Sequence, residues 1–215
     1  NTAIGADAMQ GASGSSTGSN NVAIGYQSLY SNTTGTETTA CGYSALYANT
    51  TGSSNLAVGF EAGKANTTGA ANVAIGHKAL LSNTTASNNT ACGKDALRAN
   101  TTGTKCVAVG AYALDASNAD DNTAVGYNAM TANTTGIRNA ALGQSALGAN
   151  TTGTRNTAIG AQALDASSTA SYNTAVGYGC LTENTTGEYN TAVGQSALLL
   201  NTTGTENVAV GSYAL

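Results

Sequence analysis

Several sets of residues in this 215-residue chain could carry chemistry, and most recur at one spacing. Tyr26, Tyr43 and Phe60 follow one another at steps of 17 residues, with His77 at the next step. Tyr30 and Tyr47 lie four residues beyond the first two. Aromatic faces stack on sugar rings at binding sites, so Tyr26, Tyr30, Tyr43, Tyr47 and Phe60 are candidate ligand-binding residues. The alternative is an aromatic ladder that only stabilises a stack. Asp115, Asn118, Asp120 and Asp121 bring hard oxygen ligands together in one short stretch, the donor set Ca²⁺ favours. They lack the glycine and terminal Glu of an EF-hand loop, and a plain solvated loop is the competing reading. Thr33, Thr50, Thr67, Thr84, Thr134 and Thr151 recur inside N-T-T triplets. A regular Thr array on a flat face could order water or bind ice; alternatively Thr serves only the turn. The same triplets match the N-glycosylation pattern.

Catalytic chemistry is poorly served. The chain has one His, and no H-E-x-x-H, nucleophile elbow or Walker motif. Gly177-Tyr-Gly179 belongs to a repeat and forms no dinucleotide fingerprint. The expectation is therefore a protein that is not an enzyme and needs no cofactor beyond the candidate Ca²⁺.

What must position these residues is the repeat itself, exemplified by Asn122-Thr-Ala-Val-Gly-Tyr-Asn-Ala-Met-Thr-Ala-Asn-Thr-Thr-Gly136. The glycine after the A-V or A-I pair marks 13 copies, from Gly5 and Gly25 to Gly194 and Gly211. The steps between them are 20, five of 17, one of 16, and five more of 17. A period this strict argues for stacked coils in register and for one quasi-linear body. Ala stands two residues before the glycine in every copy, and an apolar residue stands directly before it. Three and four residues after it come Ala and Leu or Met, with Ser28, Cys180 and Gly63 as exceptions. Charged residues are only 8%, a level that with few large apolar side chains would suggest disorder. Fixed Ala and Leu slots argue against it.

Runs of four or five residues rich in Thr, Val and Ile suit strands better than helices. Each copy offers two, N-T-A-V/I and A-L-x-A, separated by a bend at the glycine and by the N-T-T-G turn. Asn and Gly there tolerate left-handed backbone. Two strands and two turns per 17 residues predict an all-β parallel β-solenoid of about 13 coils, spanning roughly 60 Å at ~4.8 Å per coil. Residues 1–215 read as a single repeat array that starts and stops inside a copy, as a stretch of a longer chain would. The Gly- and Ser-rich insertion after Met9 reads as a flexible loop.

Strand side chains alternate. The Ala two before the glycine is placed inside, facing the Leu of the second run, small against large. The residue directly before the glycine then points outward. The resulting stripe of Ile4, Ile24, Val58, Ile75, Val109, Val125, Leu142, Ile159, Val176, Val193 and Val210 is an association surface. The opposite phase would bury that stripe and expose the alanines. Stacked Asn side chains could hydrogen-bond amide to amide between coils. Cys41 and Cys92 occupy the outward slot, three coils and about 14 Å apart at ~4.8 Å per coil, too far to bridge. With Cys106 and Cys180 they read as small buried thiols, or as interchain disulfides if the slots meet across a symmetry axis. Net charge is −4 with no basic cluster, which excludes a nucleic-acid footprint. No apolar run reaches the length of a membrane span.

The recurrent N-T/V-A-V/I-G signature resembles the head repeats of YadA-like trimeric autotransporter adhesins, and the N-T-A-I-G-Y-x-A-L-x-x-N-T-T-G arrays of phage-type tail-fibre proteins. The likeness runs over essentially the whole chain, with a unit of 17 residues rather than about 14. The resemblance implies a left-handed β-roll, side-by-side homotrimers, and an extracellular place on a cell surface or virion tail fibre. It implies a structural segment of a fibre or adhesin that attaches to a host or surface. The alternatives are a module that binds a host-surface glycan or protein through the aromatic strip, and an ice-binding Thr array.

Overall fold

The computed structural model describes residues 1–11 and 16–215. The expected loop after Met9 falls partly on residues 12–15, outside the described residues. The chain divides into two compact units, Asn1–Cys106 and Val107–Leu215. Each is a parallel β-solenoid of the same coil.

In the first unit the strands are β1 (Thr2–Ile4), β2 (Val22–Ile24), β3 (Thr39–Cys41), β4 (Leu56–Val58), β5 (Val73–Ile75) and β6 (Thr90–Cys92). In the second they are β7 (Val107–Val109), β8 (Thr123–Val125), β9 (Ala140–Leu142), β10 (Thr157–Ile159), β11 (Thr174–Val176), β12 (Thr191–Val193) and β13 (Val208–Val210). Neighbours within a unit pair in parallel with Ala on Ala, as in Ala40↔Ala57 and Ala141↔Ala158. The register keeps every equivalent slot stacked, which is why the sequence period is so strict. From Ala23 to Ala209 the strand alanines are buried, and the residue after each points away from the coil; Ala3, in the first coil, is exposed. The inward-Ala phase is the observed one. The core is thin: strand Ala, a second Ala three residues past the glycine, and the Leu beside it. Ala40, Ala45, Ala57 and Leu97 are fully buried.

The second run is not a strand. Ala45 and Leu46 are consecutive and both buried, whereas an extended strand sends consecutive side chains to opposite faces. The backbone solves this by alternating hand: Ser44 and Leu46 take φ of 51° and 50°. Short-range bonds alternate with bonds to neighbouring coils. Ala45 N–H donates to Gly42 O (3.3 Å) and Tyr47 N–H to Ser44 O (3.3 Å). Between them, Ser44 N–H reaches Tyr26 O (2.9 Å) and Leu46 N–H reaches Ala62 O (3.0 Å). The alternation of hand recurs from coil to coil, as at Gln27 and Leu29 or Asn128 and Met130, and each coil has one three-residue strand rather than two.

The left-handed residues also differ from expectation. The Asn and Gly of N-T-T-G are not left-handed. The turn closes through the Asn side chain instead, with Asn49 Nδ2 donating to Gly52 O at 2.9 Å. Its glycine is required by crowding: a Cβ on Gly52 would stand 2.3 Å from Gly69 O. The left-handed positions of a coil are the second and fourth residues past the strand glycine and the residue before the Asn that precedes the strand, such as Gln27, Leu29 and Ser54. None of the three slots holds Val, Ile or Thr in any copy, because a β-branched side chain is an outlier at positive φ. The strand-exit glycine is left-handed too. Gly126 has φ 141°, and a Cβ there would meet Gly143 O at 2.4 Å.

Two asparagine ladders run along each unit. In the turn ladder the bond is amide to amide, with Asn66 Nδ2 donating to Asn49 Oδ1 (2.8 Å) and Asn83 Nδ2 to Asn66 Oδ1 (2.7 Å). In the ladder before the strands the amide bonds backbone instead. Asn72 Oδ1 accepts the N–H of Asn89 (3.0 Å), and Asn72 Nδ2 donates to Ala86 O (2.9 Å). Buried polar groups of this kind are tolerable because almost all are paired.

Candidate interaction surface

The slot after the strand glycine sits at a corner where the chain leaves the sheet, so equivalent side chains lie one above another. Tyr26, Tyr43, Phe60 and His77 form one stacked column, with centroids 5.4, 5.1 and 5.3 Å apart and the last three rings within about 10° of parallel. Tyr30 and Tyr47 form a second stack (5.1 Å, 6°). All five candidate ligand-binding residues are thus brought into columns, and Tyr26, Tyr43 and Phe60 are exposed. The geometry limits what the columns can do. Neighbouring rings cover each other's faces, so edges rather than faces meet solvent along their length. Sugar stacking needs a free face. Phe60 does not turn inward to replace the Leu missing at Gly63. The side chain of Leu46 lies over that glycine, where an added Cβ would meet Leu46 Cδ2 at 3.0 Å. Phe60 keeps its place in the stack.

Further aromatic contacts went unread in the sequence. Tyr172 and Tyr189 stack at 4.8 Å, with the Arg155 guanidinium 5.2 Å from the Tyr172 ring centroid and donating to its hydroxyl. Tyr112 and Tyr127 meet edge to face. Tyr172 and Tyr189 are one period apart, so their spacing carried the signal.

Ser117 and Ala119 take the buried positions, and Asn118, Asp120 and Asp121 are exposed around them. Asp121 Oδ2 lies 3.8 Å from Arg138 Nε. Among the described residues no group of three or more His, Cys, Asp or Glu side chains, Asp115 included, is placed to hold a metal ion.

The threonines chosen from the sequence spend their hydroxyl protons inside the solenoid. Thr33 Oγ1 donates to Thr50 O (2.9 Å), Thr50 to Thr67 O (3.1 Å), Thr67 to Thr84 O (2.9 Å) and Thr84 to Thr101 O (3.3 Å). Thr134 and Thr151 do the same with Thr151 O and Ser168 O. The exposed column is the second Thr of each triplet, Thr34, Thr51, Thr68 and Thr85. Asn32, Asn49, Asn66 and Asn83 are buried with their amides bonded, so a folded coil offers none of them for glycosylation.

All four cysteines are free thiols. Cys106 and Cys180 are buried, while Cys41 and Cys92 are half-buried on the outward strand face. Burial pushes the Cys180 thiol up, against a smaller lowering by its backbone hydrogen bond at Val176.

In each unit the outward strand face is apolar or uncharged at every coil. Its two outward columns carry only Thr, Val, Leu or Ala on one side and Ile, Val, Leu or Cys on the other. No charged side chain enters either. Ile24, Val125 and Leu142 are 39, 37 and 40% exposed, and Val58, Ile75, Val109, Ile159 and Val193 are exposed likewise. Val176 is half-buried, and Ile4 and Val210 stand in the first and last coils, exposed more fully. A flat apolar strip with charge excluded has the composition of an interface centre.

Among the described residues no helix is long and apolar enough to cross a membrane. No protein-family model, curated protein or solved structure matches the chain.

Proposed function

We propose that this chain is a non-catalytic structural segment of an extracellular trimeric fibre or adhesin, serving attachment to a host or surface. The observation that carries the reading is the unpaired apolar strip on the strand face of each unit. A lone chain leaves Val and Ile about 40% exposed there. Covering each would contribute on the order of 1 kcal/mol, repeated at every coil. Sister chains are the natural cover, because identical chains repeat with the same rise and can match coil for coil. The resemblance to YadA-like head repeats and tail-fibre arrays supplies the trimer and the extracellular setting. The wiring of the coil supports a load-bearing role: each coil is tied to the next by strand, turn and side-chain hydrogen bonds at once.

The test is to place charge in the strip. Val125→Glu with Ile159→Glu should convert the assembly to single chains in sedimentation while the circular dichroism spectrum is retained. An assembly unchanged by the double substitution would remove the strip from the interface. Cross-linking through the native thiols gives an independent reading. A short bifunctional maleimide should join chains at Cys41 or Cys92, and Cys41→Ser with Cys92→Ser should abolish the product.

A further inference from the structure

The turn ladder of the second unit is interrupted, and the interruption is chemically specific. Its slots hold Ser117, Asn133, Asn150, Ser167, Asn184 and Asn201. At the first interruption the protein closes the gap directly, since Asn133 Nδ2 donates to Ser117 Oγ at 3.2 Å. Asn150 Nδ2 then donates to Asn133 Oδ1 at 2.8 Å. At Ser167 the chain of bonds stops. Asn150 Oδ1 and Ser167 Oγ are the two buried side-chain atoms among the described residues that have no hydrogen-bond partner. Both residues are fully buried, as is Asn184 above them. Asn184 Nδ2 donates to Gly187 O at 2.9 Å. Asn66 and Asn83 give the second hydrogen to the preceding amide; for Asn184 the residue in that preceding slot is Ser167.

The slot therefore presents an acceptor without a donor from below, a hydroxyl at its side and an N–H from above. Serine lacks the amide that fills this position in neighbouring coils, leaving about the room of one water, ~30 Å³. A buried water needs two to four polar partners, and leaving such groups unpaired is costly.

We infer that one water molecule is a permanent member of the ladder at Ser167. It donates to Asn150 Oδ1, accepts from Asn184 Nδ2 and exchanges a hydrogen bond with Ser167 Oγ. A monovalent cation fits less well, because the Asn184 N–H would point at its positive charge. The site has a direct consequence for how the array varies. At Ser167 serine replaces asparagine without breaking the ladder, because solvent supplies the missing amide, whereas at Ser117 the hydroxyl itself accepts the bond.

A high-resolution crystal map of the intact wild-type protein tests the inference. It should show one peak at ~2.7–3.2 Å from all three atoms, with no anomalous signal after Rb⁺ exchange. An empty slot, or an anomalous peak marking a cation, would overturn it. Water-proton or oxygen-17 relaxation dispersion provides the second reading. Ser167→Asn should lose one long-lived internal water relative to wild type and raise the melting temperature. An unchanged water count in that variant would also overturn the inference.

Discussion

At the scale of single residues, this protein is governed by positions where the backbone is left-handed and by polar groups placed where water is scarce. Ala71 shows the first cleanly, because it is exposed, has φ 54° and no polar side chain. Left-handed backbone costs an L-residue about 1–2 kcal/mol. Ala71→Gly should therefore be neutral or stabilising, and Ala71→Val should destabilise by about 1–2 kcal/mol, both measured by chemical denaturation. The reverse ranking would contradict the conformational argument. Asp165 shows the second. Its carboxylate lies against Gly148, where an added Cβ would stand 2.4 Å from Asp165 Oδ1, and burial raises its pKa above the ordinary 3.8. The folded state then holds this proton more tightly than the unfolded state. Stability from this group is present below pH 3.8 and lost as pH rises through the folded value. Asp165→Asn should flatten that part of the stability-against-pH curve and gain relative to wild type at neutral pH. A wild-type curve that matches the variant as pH rises from 3.8 would refute the shift. The left-handed slots were legible in principle. Their occupants look unrestricted, with Gln, Glu, Ser, Lys and Tyr all present, but no β-branched residue is among them. The restriction lay in what is missing, and a search for shared chemistry passes over it.

At the scale of the coil, the strand followed from the sequence, and the inward-Ala phase was the preferred one of the two that alternation allows. The second run misled for a physical reason. A-L-x-A has strand-like length, but its two most restricted slots are adjacent, and adjacent inward residues are incompatible with a pleated strand. That adjacency was visible at Ala45 and Leu46. The N-T-T-G turn misled because Asn and Gly have two uses. Here Asn works through its amide and Gly through its lack of a Cβ, as at Gly52. The aromatic slots named from their spacing stack in columns, yet spacing alone could not show that stacked rings hide their faces. The ladder makes a sharp prediction. Asn66→Ala removes bonds to Asn49 Oδ1 and Gly69 O and strips Asn83 Nδ2 of its acceptor. Leaving buried partners unpaired should cost about 2–4 kcal/mol. Substituting exposed Thr68, one coil position away from these bonds, should change stability by less than about 0.5 kcal/mol. Equal effects at the two sites would mean the ladder does not hold the coils together.

At the scale of the whole molecule, both units carry the same incomplete surface. Each has buried the alanines and leucines of its core slots and left a charge-free column of Val, Ile, Leu and Cys facing outward. The proposed fibre rests on that column being covered by sister chains. The most direct measurement is the molar mass of the purified protein in solution, by light scattering across a dilution series. The account predicts a stable particle of three times the 21.0 kDa chain, persisting at the lowest concentration. A particle of one chain mass that stays monodisperse at high concentration would contradict it, because the strip would then face water without a partner.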